Sequence, residues 1–258
     1  MDMSIVLMGA LVGLLVGLTG VGGAALLTPL LVFLGIQPTV AVATDLFYNS
    51  VTKLFGSIQH VRQKTVNVTL VKHLALGSVP SAVLAILLLK FFPPLQGYQD
   101  AIIKHSLGIV LIVVAILSLA KVWIMPARPN SLQDKPLADK KGLSILIGIV
   151  LGFIVGLTSI GSGSLFALAM MFFYRLKAAE LVGTDIVHAF LLVSAAGIMH
   201  AGFGNIDYML AFNLLAGSIP GVLVGSTLSA KVPAKPLRTV MAAIILISGI
   251  KLTGISFL

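Results

Sequence analysis

Two glycine-rich breaks interrupt long uncharged runs, at Thr19-Gly20-Val21-Gly22-Gly23 and at Thr158-Ser159-Ile160-Gly161-Ser162-Gly163-Ser164. A helix that starts inside a membrane presents unpaired backbone N–H groups and the positive end of its dipole. Glycine lets a ligand approach that backbone closely. Two such termini meeting near the membrane midplane would form an anion pocket. Its donors would be the N–H groups around Gly20, Gly22, Gly23, Gly161 and Ser162, joined by the hydroxyls of Thr19, Thr158 and Ser159. The same small residues would also serve tight helix–helix packing in lipid.

A second group of candidates lies on the polar segments that follow each break. Lys53 sits mid-segment between Asp45 and Arg62, where an unpaired charge is expensive. It either attracts the anion, pairs with Asp45, or snorkels to the interface. Asp45 and Asp185 each follow a threonine near the expected start of a helix. Capping of that helix would explain both; proton carriage coupled to transport is the alternative. Asn49 and His188 share this region and could line a path, although a lone intramembrane Asn or His also serves interhelical hydrogen bonding. His60 and His200 recur at the expected helix ends and read as interfacial structure. Cysteine is absent, and no metal site or cofactor is expected. His-Glu-x-x-His, Gly-x-Ser-x-Gly and Gly-x-x-x-x-Gly-Lys are absent, so no enzyme signature is present.

The elements that must position these residues are membrane helices. Of 258 residues, 58% are hydrophobic and 10% charged, against roughly a quarter charged in soluble domains. Between Asp2 and Asp45 lie 42 residues without Asp, Glu, Lys or Arg; 33 more run from 142 to 174 and 23 from 208 to 230. One bilayer crossing takes about 20 apolar residues. The net charge of +9 fits the basic loops of membrane proteins rather than nucleic-acid binding.

An internal repeat organises the chain. Shifted by 139 positions, Gly9, Gly13, Gly17, Thr19 and Gly22 fall on Gly148, Gly152, Gly156, Thr158 and Gly161. Shifted by 140, Thr44-Asp45 falls on Thr184-Asp185, His60 on His200, and Gly77-Ser78-Val79-Pro80 on Gly217-Ser218-Ile219-Pro220. Lys53 falls on Val193 and Tyr48 on His188. The reading is a single transmembrane domain over 1–258, with repeat one at 1–125, a polar linker at 126–141 and repeat two at 142–258. Each half contributes an opening run (about 4–34 and 143–174) and three helices, expected at about 38–60, 70–91 and 102–124, then 180–200, 208–230 and 237–257. As a straight helix, 42 residues would extend roughly 63 Å, about twice the hydrocarbon thickness. Each opening run is therefore expected to double back at its break as a hairpin of two short helices.

The basic residues test that fold. Doubling back places 12 of them on one side and 3 on the other; a single crossing by each run gives 8 and 7. The positive-inside rule expects asymmetry. The fold class expected is thus an all-α polytopic membrane protein of two inverted repeats, each a broken-helix hairpin plus three transmembrane helices. Both termini lie outside the cytoplasm in this arrangement, and the bilayer is the cell's inner (plasma) membrane.

Gly17-Leu18-Thr19-Gly20-Val21-Gly22-Gly23 with Leu27-Thr28-Pro29-Leu30-Leu31 resembles the opening signature of the TauE/SafE sulfite exporter family, as do Val42-Ala43-Thr44-Asp45 and Gly77-Ser78-Val79-Pro80. The resemblance implies a secondary transporter of a small sulfur-containing anion, such as sulfite, a sulfonate or sulfoacetate, working by alternating access and driven by protons. The serine-rich second break and the charges at Asp45 and Lys53 depart from the usual pattern of that family. An anion channel and a membrane-embedded assembly factor or enzyme are the rival readings. The expected partners are the anion, protons and the bilayer, with glycine-rich faces that permit a homodimer.

Overall fold

The computed structural model describes residues 2–19, 24–95, 97–123, 133, 136–228 and 234–254. Ten α-helices, and no strand, occur among the described residues: α1 (Met3–Thr19), α2 (Ala24–Phe33), α3 (Pro38–Arg62), α4 (Val68–Phe91), α5 (Gln99–Trp123), α6 (Lys141–Thr158), α7 (Leu165–Phe173), α8 (Ala178–Gly202), α9 (Tyr208–Leu228) and α10 (Ala234–Thr253). An all-helical architecture is what lipid dictates, because a helix satisfies its backbone groups within one segment. Helices α4, α5, α8, α9, α10 and α6 with its preceding short turn are long and apolar enough to cross a membrane. Helix α3 has the length, at 25 residues, but the polar residues it carries inward lower its hydropathy.

The second opening run breaks into a longer and a shorter helix at the position expected; in the first, α1 ends at Thr19 and α2 starts at Ala24, and the expected break at 20–23 lies outside the described residues. In the second run the chain returns to its starting level. Lys140 Nζ, beside the first residue of α6, donates to the carbonyl of Phe173 at the end of α7 (3.2 Å). Ser144 Oγ and Tyr174 Oη meet at 2.7 Å. Lys140, in the stretch expected as a polar linker, is consequently buried and also lies 5.3 Å from the Tyr174 ring centroid. In the first run the end of α2 meets the end of α10, where Lys251 Nζ sits 5.0 Å from the Phe33 ring centroid.

The glycines that revealed the repeat are packing surfaces. Gly9, Gly13 and Gly17 of α1 press on the backbone of Leu214, Ser218 and Val222 of α9, while Gly217, Gly221 and Gly225 return the contact. In the same way Gly148, Gly152 and Gly156 of α6 press on Leu74, Ser78 and Ala82 of α4, and Gly77 presses on Ile145. Small residues four apart let two backbones touch, the main route to helix association in lipid.

These contacts also fix direction. Residue numbers rise together along α1 and α9 and along α4 and α6, so each pair is parallel. Thr44 meets Asp207, and Phe47 meets Tyr208 and Phe212, making α3 parallel to α9. Asn67 meets Thr184, and Ser78 meets His188, making α4 parallel to α8. Helices α3 and α8 are antiparallel, with Gly56 beside Ile186 and Gly197 beside Leu46. Hence α1, α3 and α9 share one direction, and α4, α6 and α8 run the other way.

Candidate functional site

Helix α3 begins earlier than capping by Thr44-Asp45 would require. Its N-cap is Gln37, with Pro38 at the first helical position, and the N-cap of α8 is Lys177. Thr44-Asp45 and Thr184-Asp185 therefore lie inside their helices, and the capping reading is overturned. The two threonines serve the other half instead. Thr184 Oγ1 accepts from the N–H of Asn67 at 3.0 Å, and Thr44 Oγ1 accepts from that of Asp207 at 3.1 Å. Asn67 and Asp207 then cap α4 and α9 by accepting from Leu70 and Leu210. The sequence places these residues 140 apart, and the structure uses them identically.

With no capping duty, Asp45 turns into the core and is fully buried. Oδ2 accepts from Thr28 Oγ1 of α2 at 2.8 Å and from Ser159 Oγ, just past the end of α6, at 2.6 Å. Oδ1 accepts from Asn49 Nδ2 at 2.8 Å. Hydrogen bonds to an ionised group contribute about 1.5–3 kcal/mol each, so Asp45 ties α2, α3 and the second break into one knot. Ser159 is able to reach because it adopts a left-handed conformation, φ 62°, at the C-cap of α6.

One helical turn on from Asn49, half-buried Lys53 crosses to the same break, donating from Nζ to the Ser162 carbonyl at 3.1 Å. Its charge acts on Asp185 and on Asp45, though among the described residues neither carboxylate lies within 4.0 Å of it. Asp185 differs from its twin: its buried Oδ1 has no hydrogen-bond partner. One turn along, fully buried His188 meets Ser78 Oγ through Nε2 at 2.8 Å and stacks against Phe166 of α7 at 4.3 Å, with Nδ1 unpartnered. At the matching positions Tyr48 lies beside Ser218 without full hydrogen-bond geometry.

The second break itself is compact. Gly161 has φ 105° and its carbonyl accepts from Ser164 and Phe166 N–H, both at 3.3 Å. Thr158 closes locally, donating to Ile154 O at 2.7 Å and accepting from Ile160 N–H at 3.2 Å. The N–H groups of Ser162 and Gly163 find no acceptor among the described residues.

The family described as Sulfite exporter TauE/SafE matches residues 5–252, spanning every helix named above. The chain belongs to the TauE/SafE sulfite exporter family. It is similar to the probable membrane transporter protein YjnA of Bacillus subtilis strain 168, at 62% identity over 98% of this chain and 100% of the relative. Two other probable membrane transporter proteins of that organism are also similar. YunE is 24% identical over 96% of each chain, and YdhB is 27% identical over 97% of this chain and 99% of its own. No solved structure matches the chain significantly.

In this TauE/SafE chain, the second break meets α3 through Ser159–Asp45 and Ser162–Lys53 and is followed by Phe166, which packs on His188 of α8 one turn from Asp185; Thr158 and Gly161 lie within the break. Asn49 is there too, its amide nitrogen donating to the Asp45 carbonyl and carboxylate. Gly20, Gly22 and Gly23 lie outside the described residues, as does the side chain of Thr19. Thr28, Ser78 and Phe166 were missed as site residues. Thr28, a hydroxyl within an otherwise apolar helix, was the one legible signal.

Proposed function

We propose that the chain is a secondary carrier that moves a small sulfur-containing anion, of the sulfite, sulfonate or sulfoacetate class, across the cell's plasma membrane by alternating access coupled to protons. The observation that carries this is Lys53: a cation from one half bonded to the break of the other, beside two buried carboxylates. The opposed directions of α3 and α8, and of α1 and α6, support two halves related by inversion, repeat one at 1–125 and repeat two at 142–258. Transporters of that build bind substrate where broken helices meet near the midplane. Unpaired N–H groups at Ser162 and Gly163 and the Lys53 ammonium supply donors for an anion there, with Ser159 holding Asp45 beside them, and Thr19, Gly20, Gly22 and Gly23 are the matching break of the other repeat. Lys90, Lys104 and Lys251 mark the side of the termini, which is the side away from the cytoplasm on this reading.

The test is thermal stabilisation of the purified protein by sulfite, thiosulfate, sulfoacetate, taurine, sulfate and chloride. A ligand bound only by the folded state raises the melting temperature by mass action. Selective stabilisation by one sulfur anion, lost in Lys53→Met, is the expected result. Equal response to all six, or to none, would defeat the proposal.

A further inference from the structure

The two repeat-related aspartates are not equivalent. Asp45 is held by three donors, from Thr28, Ser159 and Asn49. Asp185 has a buried oxygen with no donor at all. The repeat explains the difference. The position matching Ser159 is Gly20, and those matching Thr28 at either shift are Ala167 and Leu168, so neither matching position offers Asp185 a hydroxyl. A carboxylate with three donors is stabilised in its charged form, whereas a buried oxygen without donors favours a neutral acid.

Lys53 is the hinge between them. It has no counterpart, since Val193 occupies its place, and its charge acts on Asp185 and Asp45 together. Other titratable or charged groups on the elements packed against α8 are Tyr48, His60 and Arg62 on α3, Lys72, His73 and Lys90 on α4, Lys141 on α6, and Glu180, His188 and His200 on α8 itself. Among all of these Lys53 is the group whose charge acts on Asp185. Charge counting then constrains loading. One lysine against two carboxylates leaves the empty, fully ionised core with one excess negative charge. A monovalent anion would double it, at a large desolvation cost. One proton entering with the anion keeps the total unchanged.

Resting on the carrier reading above, we propose that Asp185, with its unpartnered buried oxygen, carries the coupled proton, so that one proton and one anion bind together and the charge of Lys53 is left to the anion. The proton passes from water to the Asp185 carboxylate; Lys53 remains an ammonium, held at the Ser162 carbonyl, and its charge is then answered by the substrate. For a monovalent anion the loaded step moves no net charge.

The experiment uses isethionate and thiosulfate, whose charges do not change across the neutral range. Binding to the purified full chain is measured as a function of pH, and accumulation in proteoliposomes is driven by an acid exterior. In the wild type, affinity rises as pH falls, by up to about tenfold per pH unit, and isethionate accumulation does not respond to an imposed membrane potential. Asp185→Asn binds with pH-independent affinity and loses acid-driven accumulation. Asp185→Glu retains the pH slope, which guards against simple misfolding, and Asp45→Asn retains it too. A slope surviving in Asp185→Asn, or vanishing in Asp45→Asn alone, would overturn this assignment while leaving the carrier reading intact. No binding of either anion by the wild type would overturn both.

Discussion

Ser159 donates its hydroxyl hydrogen to Asp45 Oδ2 over 2.6 Å, joining the break of one half to the polar helix of the other. Loss of this bond leaves the carboxylate with two donors to its oxygens, Thr28 and Asn49. Ser159→Ala should lower stability by about 1.5–3 kcal/mol. Ser159→Gly removes the same hydroxyl but relieves the left-handed backbone, φ 62°, and should recover about 1 kcal/mol of that loss. Thermal melts of the two variants in detergent check the order; an alanine variant as stable as wild type would refute it.

The glycine seams make a sharper forecast. A side chain at Gly13 or Gly152 would run into the backbone of Ser218 or Ser78, which cannot swing away as a flexible side chain does. Gly13→Leu and Gly152→Leu should each cost at least about 3 kcal/mol and yield aggregated protein on size exclusion. Gly202→Ala, with nothing within 4 Å of the added carbon, should run as wild type. Monodisperse Gly152→Leu would mean that the α4–α6 contact is not essential.

Lys64 holds a left-handed φ of 56° just beyond α3, where the repeat has Gly204 with φ 71° beyond α8. A side chain in that conformation costs about 1 kcal/mol. Lys64→Gly should therefore raise stability by up to about 1 kcal/mol, less the entropy glycine adds to the unfolded chain. A fall in melting temperature would show that the lysine side chain contributes something the backbone account omits.

Replacement of Lys53 separates charge from shape. Lys53→Met preserves most of the apolar stem and should abolish ligand-induced stabilisation. Lys53→Arg keeps the charge but spreads it over a rigid fork, and should restore only part of the response. Full response in Lys53→Met would remove the lysine from the site.

Helix positions and the second break were legible because hydropathy, glycine spacing and charge-free length act locally. Helix α3 was expected at 38–60 and runs Pro38–Arg62; α9 was expected at 208–230 and runs Tyr208–Leu228. The partners of Asp45 were not legible, because Thr28 and Ser159 lie 17 and 114 residues away and nothing local announces a contact between halves. The capping expectation failed for a related reason: Pro38 already starts α3, which frees Thr44 to brace Asp207 across the interface. The glycines at 9, 13, 148 and 152 were visible from the start, yet only the paired helix shows which backbone each one admits.

Val193 stands at the position that matches Lys53 in the repeat, and this bears on how such a protein arises. A dimer of identical single-repeat chains can place charges near its axis only in pairs. Two lysines there would have balanced the two aspartates and left no charge to exchange. Joining the repeats in one chain permits an odd number, and the single lysine is a feature that two identical halves cannot hold.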